Sequence, residues 1–220
     1  MVQLQTKTPP WRAICSLEIA TPNGLFRGTG WLAGPRLVMT AAHCVYRPRE
    51  FGGWAREIIV SPGRTWRSQP FGSFVSQRFS CAAEWIRTGR RETDLGCIHL
   101  AEPVGESLGW FRYAGADPGA LVGASVVASG YPEFSGTYNN LLTASGAVHD
   151  TAPGRIFYDV DTTDGQSGAP VWSLDDDPAN PTVFAVHTYE PDPGRPGQFN
   201  SATLLTAEAL GLIAEWQNLQ

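Results

Sequence analysis

Ser167 stands between Gly165 and Gly168 in the run Asp161-Thr162-Thr163-Asp164-Gly165-Gln166-Ser167-Gly168-Ala169-Pro170. A serine hydroxyl at its ordinary pKa is a weak nucleophile and needs a base beside it. It also needs backbone N–H groups aimed at the oxyanion it creates. A glycine two residues before the serine lets the chain turn so that the Gly165 and Ser167 amides can point the same way. Gly168 behind it leaves room for close approach. The base candidate lies far upstream, where His43 follows the β-branched, apolar run ending Met39-Thr40-Ala41-Ala42. A carboxylate must then hold the histidine tautomer and stabilise the imidazolium. Asp94 stands at the mouth of the apolar run Leu95–Leu100. Alone, an Asp there reads as a turn residue. The order His43, Asp94, Ser167 is what raises it to a member of a nucleophilic hydrolysis site.

The other three histidines are weaker candidates. His99 alternates with Ile98 and Leu100 and is expected to face solvent. His149 lies in a turn beside Asp150 and reads as structural. His187 sits in the apolar run Phe184-Ala185-Val186-His187, where a histidine by itself is usually a hydrogen-bonded core residue. Gly165-x-Ser167-x-Ala169 also fits the nucleophile elbow of α/β-hydrolases, whose order is Ser, acid, His. Asp175, Asp176 or Asp177 followed by His187 would complete it. The stretch from Ser167 to His187 is too short to hold the crossovers that parallel strands require.

The elements that must position these residues read as short strands bounded by Gly, Pro or Asn. One set is Ala13–Ala20, Leu25–Ala33, Arg36–Thr40, Glu57–Val60 and Asp94–Leu100. A second is Ser125–Ser129, Leu141–Val148, Ile156–Val160, Ala169–Trp172, Val183–Thr188 and Ala202–Leu205. None is followed by a helix of useful length, which argues against βαβ units. The segment 52–80 is aromatic, polar and irregular, and reads as surface loops. Asp175–Pro181 reads as a solvated hairpin tip. The one convincing helix is C-terminal: Thr206 can cap it, Glu208 suits its first turn, and Leu210, Ile213 and Ala214 share a face. The expected architecture is all-β, with two six-stranded antiparallel β-barrels and a C-terminal α-helix that closes the second. The expected division is 1–112, carrying His43 and Asp94, and 113–220, carrying Ser167 and the helix.

Composition agrees. Among 220 residues, Gly 24 and Pro 17 are high and charged residues at 17% are low, as suits many strands and tight turns. A net charge of −5 argues against nucleic acid as a partner, because phosphate binding needs a basic face. Arg87, Arg90 and Arg91 cluster, and read as a solvated loop. No apolar run approaches the roughly 18 residues of a membrane span. The start of the chain holds Lys7, Pro9, Pro10 and Arg12 and no apolar run of signal-peptide type. The four cysteines Cys15, Cys44, Cys81 and Cys97 show no metal-ligand spacing, and at least two of them read as free and buried. These features point to a reducing, cytoplasmic setting if Met1 is native and to secretion if a leader has been removed. No cofactor is called for. The expected partner is a protein or peptide substrate, and the expected state a monomer.

The chain resembles the chymotrypsin-fold serine peptidases, in particular the bacterial glutamyl endopeptidase (V8-like) branch. The matching pieces are Gly28-Thr29-Gly30-Trp31-Leu32, Thr40-Ala41-Ala42-His43-Cys44-Val45-Tyr46, Asp94-Leu95-Gly96-Cys97-Ile98, Ser129-Gly130-Tyr131-Pro132, Gly165-Gln166-Ser167-Gly168-Ala169-Pro170 and Val186-His187. The resemblance implies a serine endopeptidase with nucleophile Ser167, base His43 and orienting acid Asp94, and an oxyanion hole from the Gly165 and Ser167 N–H groups. It implies a pocket lined by Asp161, Thr162, Thr163 and the strand from His187, with Thr188, Tyr189 and Glu190 pairing with substrate backbone. In the glutamyl branch the places of His187 and Thr162 receive a substrate carboxylate, which favours cleavage after Glu or Asp. Asp161 occupies the place that in trypsin selects Arg or Lys, which is the alternative, and Glu190 lies at the rim. Gln166 replaces the aspartate that pairs with a freed N-terminus in digestive enzymes, so that activation switch is not expected. The disulfide common from the place of Cys44 would need a cysteine near Gly28, and there is none. Two further readings remain: a regulated intracellular protease with one partner substrate, and an inactive peptidase-like binding module.

Overall fold

The computed structural model describes residues 2–3, 5–66, 68–133, 140–191 and 199–219. Its strands fall into two large sheets and one small hairpin. The first sheet runs, in spatial order, Phe74–Ser76, Glu57–Pro62, Ile14–Thr21, Gly24–Leu32, Leu37–Thr40, Gly96–His99 and Phe79–Cys81, with every neighbour antiparallel. It thus holds seven strands. Its two edge strands lie on either side of Gln77 and Arg78. The Ser76 hydroxyl spans the gap by donating to the His99 carbonyl (2.6 Å). Phe74–Ser76 and Phe79–Cys81 come from the end of the segment read as loops. Three-residue strands carry too little alternation to stand out, and the open edges of longer neighbours recruit them.

The second sheet closes on itself. Ser125–Gly130, Leu142–Ala152, Arg155–Tyr158, Asn200–Leu204, Thr182–Tyr189 and Pro170–Ser173 each pair with the next, and the last returns to the first. Outside this six-stranded barrel, Val2–Gln3 pairs with Leu142 and Thr143, and Arg112–Tyr113 runs parallel beside Thr182 and Val183. The all-β architecture with a terminal helix is therefore as the sequence predicts.

The larger apolar core is shared between the two sheets. Ile14, Leu17, Trp31 and Met39 of the first pack in one cluster with Val127, Tyr131, Trp172 and Val186 of the second. Trp172 meets Trp11 and Phe111 at ring-centroid distances of 5.9 and 5.8 Å. A smaller cluster around Val126, Ile156, Tyr158 and Ala185 fills the closed barrel. All four cysteines are free, three of them buried.

Three expectations need correction. His99 is buried, and its Nε2 lies 2.9 Å from the hydroxyl of Ser80 on the seventh strand. Burial, and then the Arg78 charge, holds its pKa below the ordinary value. The helix Ala207–Gln217 is capped as expected, with the Thr206 hydroxyl accepting from the Ala209 N–H (3.2 Å). Its buried face, however, is Ala209, Ile213 and Trp216, and Ala214 is exposed. It also docks on the first sheet rather than closing the second: Gln217 Nε2 donates to the Ala33 carbonyl (3.1 Å). The second barrel needs no closure because Leu142–Ala152 and Arg155–Tyr158 already seal it. Helices Ala83–Thr88, Val104–Leu108 and Pro118–Leu121 are too short to show a period in the sequence.

Because Ile213 belongs to the shared core, Ile213→Ala is expected to lower the unfolding free energy by about 2–5 kcal/mol. The measurement is urea denaturation followed by tryptophan fluorescence.

Candidate active site

His43 lies in the turn Ala42–Cys44 directly after the strand Leu37–Thr40, and Asp94 lies directly before Gly96–His99. The ladder pairs Gly96 with Thr40, so the end of one strand meets the start of the other. This brings His43 onto Asp94 by two bonds. The His43 N–H donates to Oδ1 (2.9 Å), and Nδ1 lies 2.6 Å from Oδ2. Asp94 is fully buried and His43 nearly so. Burial alone would lower the His43 pKa. The Asp94 carboxylate outweighs it, with a smaller contribution from Cys44, and holds His43 above the ordinary imidazole value.

Ser167 comes from the other sheet, on the turn that leads into Pro170–Ser173. It lines a cleft of about 240 Å³ together with His43, Cys44, Gly165, Asp164, Phe26, Arg27, Arg47 and Phe51. The turn needs both of its glycines. Gly165 and Gly168 have φ of +89° and +91°, the left-handed region. A Cβ on Gly165 would come within 2.5 Å of the Tyr131 carbonyl, and one on Gly168 would collide with the Thr29 carbonyl and the Thr40 hydroxyl. The Gln166 and Gly168 amides are engaged, donating to the Thr163 and His187 carbonyls. Gln166 is itself buried, and its side-chain oxygen accepts from the Thr163 N–H (2.9 Å).

A family description, the trypsin-like peptidase domain, matches residues 28–177, a span that contains His43, Asp94 and Ser167. The chain belongs to the trypsin-like peptidase family. Glutamyl endopeptidase of Bacillus licheniformis is 35% identical over 97% of the chain, and a Bacillus subtilis protein named extracellular metalloprotease is 30% identical over 97%. The chain spans 65% and 66% of the length of these two relatives. Among the described residues no group of three or more His, Cys, Asp or Glu side chains is placed to hold a metal ion. Among solved structures, a Glu endopeptidase in complex with MPD superposes with a TM-score of 0.84 at 22% identity, covering 100% of this chain and 96% of that one. The protease Anisep of Arthrobacter nicotinovorans superposes at 0.71 and 17%, covering 92% of each. At these identities the likeness shows the chymotrypsin-like fold.

In this peptidase-family chain the remaining site candidates separate into two groups. His187 and Thr188 are buried beside the Ser167 turn. His187 Nδ1 lies 2.7 Å from the Tyr158 hydroxyl, and burial, then the His43 charge, lowers its pKa to about 3. The Thr162 hydroxyl is buried without a hydrogen-bond partner. The Thr188 hydroxyl donates to the Ser201 carbonyl (3.4 Å). Glu190 is exposed, and its pKa is raised by partial burial and then by the Asp164 charge. Asp161 stands apart. It is exposed and lines a different pocket, of about 440 Å³, with Trp11, Val127, Trp172 and Asp176. Cys44 sits where the resemblance puts it: a Cβ on Gly28 would lie 3.0 Å from its sulfur.

Two residues at the site went unread in the sequence. Thr29 belongs to the first sheet and reaches across to the Ser167 turn. Its N–H donates to the Ser167 carbonyl (2.8 Å) and its hydroxyl to the Gly165 carbonyl (2.9 Å), while the hydroxyl accepts from the Tyr131 N–H (2.9 Å). The only sequence signal was its place between Gly28 and Gly30, which says nothing of a partner so distant in the chain. Arg91 is the second case. Arg87 and Arg90 are solvated and ion-paired with Glu84 and Glu92, as a charged loop should be. Arg91 instead stacks on the Tyr189 ring, 4.4 Å from its centroid.

Thr29→Val would leave the Gly165 carbonyl and the Tyr131 N–H buried without a partner, each costing about 1–3 kcal/mol. Thermal unfolding is expected to show that loss for Thr29→Val and near-native stability for Thr29→Ser.

Proposed function

We propose that the chain is a serine endopeptidase that cuts peptide bonds through an acyl-enzyme formed on Ser167, with a preference for Glu or Asp before the cut. One observation carries the reading. His43 is clamped by a buried carboxylate through Nδ1, and its ring lines the same cleft as the only serine hydroxyl on a Gly-x-Ser-Gly turn. In this reading Ser167 attacks the scissile carbonyl and His43 takes its proton. Asp94 holds the Nδ1–H tautomer and stabilises the imidazolium, and the Gly165 and Ser167 N–H groups receive the oxyanion. His43 then returns the proton to the leaving amine, and water cleaves the ester by the same route. Substrate backbone would add to the strand at Thr188–Glu190.

The acidic preference rests on neutral donors. The Tyr158 hydroxyl lies 2.7 Å from His187 Nδ1; in this reading it donates there, and the proton of the neutral ring is on Nε2. Thr162 offers a buried hydroxyl with no other partner. A substrate carboxylate would satisfy both. Asp164 and Glu190 oppose it at the rim, where solvent screens them. Cleavage after Arg or Lys would need Asp161 in the pocket, and that residue lines the separate one beside Trp11 and Trp172.

Ser167→Ala is expected to abolish hydrolysis and fluorophosphonate labelling without loss of fold. Turnover near the wild-type rate would sink the assignment. Since His43 must be unprotonated to act, and Asp94 holds its pKa above about 6.5, activity should rise with pH through a midpoint above that value. Asp94→Asn removes the upward pull and leaves burial, so its residual activity should have a lower midpoint in a kcat/KM profile. Tyr158→Phe frees the His187 tautomer. It should raise KM for Glu-containing peptides roughly fivefold, the equivalent of about 1 kcal/mol, with little change for peptides cut after a neutral residue.

A further inference from the structure

A second cavity lies outside the Ser167 cleft and shares no lining residue with it. Its volume is about 440 Å³. Small-molecule sites span roughly 300–1,000 Å³ and are mostly apolar with a few polar groups. The floor is one row across three strands of the closed barrel. Ser145 pairs with Val127, and Val127 with Trp172. Residues in register across a sheet lie on the same face, while the alternate residues Val126, Ala128 and Val171 fill the barrel interior. Trp11 adds a second indole to the lining, its centroid 5.9 Å from that of Trp172 and inclined by 50°. Trp172 is only 3% exposed and packs on Phe111 as well, so the aromatic wall is set before any ligand arrives. Preformed walls of this kind spare a ligand the cost of ordering them.

Two carboxylates complete the lining, Asp161 exposed and Asp176 half-buried, and no lysine or arginine lines the cavity. Among the described residues neither aspartate makes an ion pair. Asp176 spends one oxygen, Oδ2, on the Thr182 N–H (2.8 Å). Arg12, next to Trp11, and Arg112, beside the start of Thr182–Tyr189, donate instead to the Leu108 and Asn180 carbonyls (both 2.6 Å). The lining thus offers negative charge and indole surface together. Indole faces attract a cation as well as apolar groups. An anion would meet repulsion here, and a neutral apolar molecule would leave both carboxylates unanswered. We infer that this cavity is a binding site for a small primary amine with an apolar body, its ammonium at Asp161 and Asp176 and its body against Trp11, Val127 and Trp172. The site uses none of His43, Asp94 and Ser167, so it stands or falls apart from the hydrolytic reading.

The test follows the tryptophan indole N–H signals of the full chain by proton–nitrogen NMR, assigned from Trp11→Phe, Trp85→Phe and Trp172→Phe. The probes are phenylbutylamine, phenylbutanol and phenylbutyrate, alike in skeleton and different in charge. The amine is expected to shift the Trp11 and Trp172 signals saturably, with a Kd of about a millimolar. The alcohol should bind roughly tenfold more weakly, and the butyrate should not saturate. Asp161→Asn, at an exposed position, should weaken amine binding about fivefold at an unchanged urea midpoint. Asp161→Asn/Asp176→Asn should bring the amine to the level of the alcohol. Equal binding of amine and alcohol overturns the inference, as does equal amine binding by wild type and Asp161→Asn, or no shift at all. A shift confined to Trp85 also overturns it, because that ring lies 6.4 Å from His43 and would report an amine in the Ser167 cleft.

Discussion

Thr29 uses every polar atom it has in the seam between the two sheets. Its N–H and hydroxyl hold the carbonyls of Ser167 and Gly165, its hydroxyl receives the Tyr131 N–H, and its own carbonyl accepts the Thr40 hydroxyl (2.7 Å). Each such bond contributes a net of only about 1 kcal/mol, whereas an orphaned partner costs more. The effect is therefore mainly geometric: the Ser167 turn can sit in one place only. Gly168 shows how close the fit is, since a Cβ there would strike both Thr29 and Thr40. Thr40 in turn ends the strand that delivers His43. A chain of short contacts thus runs from the Ser167 turn through Thr29 to the His43 turn.

The same low-polarity setting drives two histidines in opposite directions. Burial disfavours the imidazolium of both His43 and His187. His43 has a buried carboxylate at 2.6 Å and is held above the ordinary value. His187 has a phenol at 2.7 Å, which offers no charge, and falls far below it. One ring is suited to take up a proton and the other to stay neutral. The separation arises from partner chemistry, because depth of burial is alike for the two.

His43, Asp94 and Ser167 were readable because each follows a local rule: a strand end, a strand mouth and a glycine-flanked turn. The longer strands were readable for the same reason, since Ile14–Thr21 and Thr182–Tyr189 carry enough alternation or apolar length to declare themselves. His99 was misread because alternation along Gly96–His99 presumes one open face, and all four residues of that strand are buried. Asp161 looked like a pocket residue by its place in the run before Ser167, yet the backbone carries it to a different surface. The C-terminal helix announced its cap at Thr206 and hid its docking partner.

The sequence by itself determined the chemistry available: a serine on a turn only glycines permit, a histidine and an aspartate at strand ends, and an all-β chain to carry them. These are properties of residues and their near neighbours, and near neighbours are what a linear pattern records. The tertiary structure alone decided which groups meet. Thr29 with Gly165, Tyr189 with His43, Tyr158 with His187 and the helix with Ala33 are contacts between sheets or between distant strands. No periodicity encodes them, because each depends on how two separately patterned sheets pack their twist and side chains against one another.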